Sequence, residues 1–149
     1  MARRISHLVW VLEEAENIVR DIIEIGTGKM TVDQVVEYQN RLAALNFYIG
    51  EYAAKAVSKT NFAYANKKFR YADKWSPMKE KLNALGKATD SDVKAALDVK
   101  LKDDTDKHIK DQAISDKLSA VWESNQQIIN SLASAIKVKL GERATSGMN

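Results

Sequence analysis

Apolar residues at Ile5, Leu8, Leu12, Ala15, Val19 and Ile22 alternate steps of three and four, the mark of one helical face. Val9, Ile18 and Ile25 widen that face, and the pattern predicts a helix over about 4–25, stopped at "GTGK" where Gly26 or Gly28 supplies a left-handed cap. "TVDQ" then reads as a capping box, with Gln34 three residues after Thr31. The stripe Val35, Tyr38, Leu42, Leu45, Ile49, Tyr52 and Ala56 predicts a second helix over 32–75, without a breaker before Ser76 and Pro77. "SPMKE" reads as a restart, with Ser76 as N-cap and Pro77 at the first position of a short helix over 77–85 that closes at Gly86. Thr89, with Asp92 three residues on, caps a further helix over 90–101. The final stripe, Ile114, Leu118, Val121, Asn125, Ile128, Leu132 and Ala135, predicts a helix over 107–140, and 142–149 reads as a flexible tail.

One Pro and six Gly in 149 residues agree with an all-α chain, read as a single domain over 1–141. The expected architecture is a long helical hairpin or bundle with an oligomerising C-terminal helix, because soluble helices of about forty residues usually belong to coiled coils, long bundles or oligomers. The face formed by Leu118, Val121, Trp122, Asn125, Ile128, Ile129, Leu132 and Ile136 is wider than one partner helix requires, which points to a homo-oligomer. Asn125 on that seam either fixes helix register or makes a local hydrogen bond at its edge. The opening "MARRISHLVWVLEE" has basic residues before an apolar run, but the run stops at Glu13 and Glu14 and no small-residue cleavage site follows. No stretch approaches the ~20 apolar residues a membrane span needs. The expectation is a soluble cytoplasmic protein.

Catalytic and metal signatures do not emerge. The chain lacks cysteine, and His7 and His108 have no second ligand at metal-binding spacing. "GTGK" is too short for a phosphate loop, and Ser and His form no nucleophile motif. Glu13, Glu14 and Glu16, like Asp103, Asp104 and Asp106, read as solvated charge. The expectation is a binding protein with no enzymatic activity, no metal and no cofactor. From Asp90 to Asp116 there are eight Asp, no Glu and five Lys, a pattern read as a solvated face or mobile connection, with a docking surface for a basic partner as the alternative.

One stretch stands out. "FAYANKKFRYADKW", Phe62 to Trp75, holds five of the chain's eleven aromatics among Lys67, Lys68, Arg70 and Lys74. Between Lys59 and Lys81, seven cations face only Asp73 and Glu80, a net +5 in a chain whose total is +3. On a helix, Phe62 and Phe69 nearly overlie one another beside Ala65 and Ala72, while Tyr64, Tyr71 and Trp75 gather on the opposite side among the lysines. The Phe row is expected in the core. The other row needs a partner, either another helix or single-stranded nucleic acid whose bases stack on rings and whose phosphates meet cations.

"EYQNRLAALNFYIGEYAAKA" (Glu37–Ala56), the basic stretch through "KKFRYADK", and "KLSAVWESNQQIINSLASAIKVKLGER" (Lys117–Arg143) resemble the recombination-mediator proteins of tailed phages, the UvsY-like family. The resemblance covers roughly two-thirds of the chain through helical patterns without an invariant signature. It implies a helical protein that oligomerises through its C-terminal helices, binds single-stranded DNA and helps load a RecA-like recombinase onto strands covered by single-strand-binding protein, in the host cytoplasm. By position, the DNA-contacting role would fall on Lys55, Lys59, Lys67, Lys68, Arg70 and Lys74, with Tyr64, Tyr71 and Trp75 as stacking rings. The Asp-rich stretch departs from such a surface. The alternative is a helical protein–protein adaptor or inhibitor, such as a phage anti-defence factor.

Overall fold

The structure, a computed structural model, describes residues 6–147, in which four α-helices and one short 3-10 turn occur and no strand is present. α1 is His7–Ile25, α2 Val32–Leu85, α3 Asp90–Lys100 and α4 Lys102–Ser146, with the 3-10 turn at Thr27–Lys29. The chain is all-α, as its periodicity predicts.

Local chemistry sets most of the boundaries. Ser6 caps α1 by accepting from the Val9 N–H, and Gly26 ends it at φ 77° with its N–H on the Ile22 carbonyl at 2.9 Å. Only glycine adopts that backbone without strain. Thr31 and Gln34 form the expected reciprocal box at the head of α2, at 2.9 and 3.2 Å. Thr89 and Asp92 do the same for α3. Hydrogen bonds from the Thr89 backbone and hydroxyl hold the Asp92 carboxyl below its ordinary pKa. Capping by Asp92 is therefore complete above the ordinary carboxylate pKa and is lost as pH falls below it through the lowered pKa of the folded state.

Three boundaries differ from expectation. α2 does not restart at Ser76 but runs continuously through Pro77 to Leu85. Pro77 removes the bond to the Asp73 carbonyl, yet both residues are exposed, so the carbonyl remains open to water. Meanwhile the half-buried row Tyr71, Trp75, Met78 and Leu82 passes through the proline in steps of four and three. α4 begins at Lys102, because a single buried residue, Leu101, turns the chain out of α3. It also continues to Ser146, into the expected tail. The expected start of α1 near residue 4 lies outside the described residues.

The chain divides into two compact units. Unit 1 comprises the described residues up to Ala53 and from Leu118 onward, and unit 2 is Ala54–Lys117. Unit 1 has the conventional core. Val11, Ala15, Ile18 and Ile22 of α1 cluster with Met30, with Val35, Leu42 and Ile49 of α2, and with Ile129 and Leu132 of α4. Each buried aliphatic side chain contributes roughly 1.5–3 kcal/mol by leaving water. Two amides are enclosed in the same unit: Asn46 donates to the Trp122 carbonyl at 3.3 Å, while its own Oδ1 and the Asn125 Nδ2 have no partner.

Unit 2 is built differently. On α3, Val93, Leu97 and Leu101 are buried at steps of four. The inward row of α2, however, is Ala56, Thr60, Ala63 and Lys67, and that of α4 is Asp104, His108, Asp111 and Ser115. Thr60, Asp111 and Ser115 are buried outright. Small and polar side chains thus occupy positions where large apolar ones would be expected.

Candidate interaction surface

The basic stretch and the Asp-rich stretch meet inside unit 2. Arg70 Nη1 donates to both carboxylate oxygens of Asp104 at 2.8 and 2.7 Å. Lys59 Nζ lies 3.5 Å from Asp111 Oδ1, and Lys79 Nζ lies 3.2 Å from Asp90. The Asp111 Oδ2 is buried without a hydrogen bond, so Lys59 offsets the cost of enclosing that carboxylate. Three of the eight Asp of the Asp-rich stretch, Asp90, Asp104 and Asp111, thus have basic partners on the chain's own α2. Of the two alternatives for that stretch, a solvated helix face or a mobile connection, the first fits: it is helical on either side of Leu101 and six of its eight Asp are exposed, with Asp104 half-buried and Asp111 buried as the exceptions.

The rings expected on a ligand-facing row are engaged as well. The Tyr71 hydroxyl donates to the Lys94 carbonyl at 3.2 Å and to Asp98 Oδ1 at 3.3 Å. Burial first, then the charge of Asp98 and the bond to it, raise the Tyr71 phenol above its ordinary pKa. Trp75 is half-buried with its ring 6.1 Å from that of Tyr71. Tyr64, 45% exposed, meets His108 at a tilt with ring centres 5.3 Å apart and carries Lys68 Nζ 4.9 Å above its ring. Lys67 and Lys74 are half-buried, and Lys55 is exposed.

Phe62 and Phe69 are the inverse. They are not core, as their apolarity suggests, but 72% and 69% exposed. The Phe row faces outward instead of inward, and Tyr71 and Trp75 are half-buried, whereas Tyr64 and Lys68 of the expected outer row remain exposed. The physical reason lies across the unit: the Tyr71 hydroxyl finds acceptors on α3 and Arg70 finds one on α4, while Thr60 and Ala63 of the same helix are buried. The outward row is therefore Ser58, Phe62, Ala65, Phe69, Ala72 and Ser76, all exposed. Hydrophobicity alone could not find this arrangement. The matching polar rows on α2 and α4 are the signal that could have.

The C-terminal face expected to join subunits lies largely inside unit 1. Leu118, Asn125, Ile129 and Leu132 are buried, and Val121, Ile128 and Ile136 pack partly buried against the core cluster. Only Trp122 is exposed, at 39%, with its indole against Gly50. The face is wide because α1 and α2 of the same chain both use it.

Among the described residues no group of three or more acidic, His or Cys side chains is placed to hold a metal ion, and no helix is long and apolar enough to cross a membrane. No family model, no curated protein and no solved structure matches the chain.

Proposed function

We propose that the protein acts by binding another protein, as a non-enzymatic helical adaptor whose docking element is the outward face of α2 in unit 2. The observation that carries this reading is the inversion of the basic–aromatic stretch. Two rings without a polar handle face solvent, while Arg70, Lys59 and Lys79 of the same helix have carboxylate partners. A contiguous exposed apolar row rimmed by polar side chains is the kind of surface a protein partner covers. Taking up phosphate would require Arg70 to give up a charge-assisted bond to Asp104, which weakens the electrostatic gain on which nucleic-acid binding depends.

A second reading, a single-stranded-DNA-binding accessory that assists recombinase loading, draws on a different observation. Lys59 remains 65% exposed on the helix that presents the bare Phe rings, and exposed rings near cations serve as stacking platforms. Fluorescence anisotropy with a labelled single-stranded oligonucleotide, across a salt series, separates the two. The adaptor reading predicts no saturable binding even at low salt. Saturable binding that weakens steadily with salt would favour the second reading instead.

A further inference from the structure

We infer that the outward face of α2 in unit 2 is a self-recognition seam, covered by the same face of a second copy of this chain running antiparallel. The inference rests on the adaptor reading and names its partner. Ser58, Phe62, Ala65, Phe69, Ala72 and Ser76 step by four and three, placing Phe62, Phe69 and Ser76 at one core position of a heptad and Ser58, Ala65 and Ala72 at the other. All six are exposed in the single chain.

The order of large and small residues selects the partner's direction. In an antiparallel pair, each first-type position faces a second-type position of the mate. Phe62 then opposes Ala72, Phe69 opposes Ala65, and Ser58 opposes Ser76. Every inner layer holds one Phe and one Ala, so two helix axes at constant separation fill all of them. In a parallel, in-register pair the layers would alternate between two Phe and two Ala. No single axis separation fills both, and the Ala layers would leave voids.

Charge agrees with this direction. Flanking positions on one side of the seam carry Lys59, Asn66 and Asp73. Antiparallel pairing sets Lys59 of each copy beside Asp73 of the other, twice by symmetry. Both side chains reach solvent, at 65% and 57% exposure, while paired within their own chain, Lys59 with Asp111 and Asp73 with Lys74, so the contacts across the seam would be shared with those pairs. On the other flank Lys68 approaches its own symmetry mate, but its ammonium is drawn back over the Tyr64 ring at 4.9 Å. Four Phe rings, each mostly exposed before pairing, contribute roughly 600 Å² of apolar surface. That is about half of the ~1,200 Å² at the lower end of stable interfaces, and the Ala and Ser layers with their flanks supply the remainder.

The native chain has no cysteine, so single cysteines report the register cleanly. Ser58→Cys and Ser76→Cys are made separately in the full chain and treated at micromolar concentration with a short bis-maleimide. The mixture of the two variants should give several-fold more cross-linked dimer than either alone, and adding Phe62→Ser and Phe69→Ser to both should abolish it. Cross-linking of Ser58→Cys alone as efficient as that of the mixture would overturn the antiparallel seam. Absence of cross-linking together with monomeric sedimentation would overturn self-recognition while leaving the adaptor reading in place. An oligonucleotide that binds saturably and blocks cross-linking would overturn both, and would assign the face to nucleic acid.

Discussion

Arg70 Nη1 donates to both oxygens of Asp104, thirty-four residues further along the chain, at 2.8 and 2.7 Å. The contact joins the basic–aromatic stretch to the Asp-rich one. Asp104 is largely enclosed, its side chain 16% exposed, so Arg70 offsets a larger desolvation cost than in a surface pair. A double-mutant cycle with Arg70→Ala and Asp104→Ala, read by urea unfolding, should give a coupling of about 1 kcal/mol that shrinks in high salt. Additive single effects would show that the pair contributes nothing to unit 2.

The Tyr71 hydroxyl, bonded to the Lys94 carbonyl and Asp98, ties α2 to α3. Tyr71→Phe keeps the ring and removes only that tie, so it should cost about 0.5–1.5 kcal/mol at neutral pH. Because the folded state holds the phenol above its ordinary pKa, the unfolded chain ionises first as pH rises. The stability gained from the neutral phenol is complete below the unfolded phenol's pKa and is lost as pH climbs through the alkaline range. The advantage of wild type over Tyr71→Phe should therefore narrow above pH about 10. Unfolding titrations at neutral and alkaline pH check this, and a gap that stays constant would contradict it.

Gly50 sits mid-helix, where a Cβ would come within 2.9 Å of Trp122 Nε1 and 3.1 Å of its Cδ1. Gly50→Ala improves helix propensity by ~1 kcal/mol but overpacks against the indole at a cost of about 1–3 kcal/mol. The expected outcome is a small net destabilisation with a shift in tryptophan emission. In a Trp122→Phe, Ala or smaller background the propensity gain should emerge. Stabilisation by Gly50→Ala alone, with emission unchanged, would show that the close approach is not a constraint.

The helices and their caps were legible because they follow from neighbours in sequence. Thr31 with Gln34, Thr89 with Asp92, and Gly26 at positive φ depend on nothing distant. Pro77 was ambiguous because Ser-Pro both starts helices and survives on an exposed turn, and the apolar row through Tyr71, Trp75, Met78 and Leu82 would have resolved it. The end of α3 falls where the pattern places it, at residue 101, but the bend carries neither Gly nor Pro and does not tell that α4 resumes at once at Lys102. The orientation of the aromatic stretch was not legible, because ranking by hydrophobicity puts Phe62 and Phe69 inside ahead of Thr60 and Ala63. Unit 2 is tied by ion pairs and hydrogen bonds between segments far apart in sequence, and periodicity within one helix does not report those.

Which ring of that stretch supports the fold is the claim on which the account turns, and it is tested by comparing Phe69→Ala with Tyr71→Ala in urea unfolding at protein concentrations too low for self-association. Phe69 is 69% exposed, whereas Tyr71 is half-buried and hydrogen-bonded to α3. Phe69→Ala should change stability by no more than about 0.5 kcal/mol, while Tyr71→Ala should cost about 2 kcal/mol or more. The reverse ranking, with Phe69→Ala costing the ~3–5 kcal/mol of a buried ring and Tyr71→Ala nearly neutral, would put the Phe row in the core. The outward apolar surface, and with it the protein-binding reading, would then be contradicted.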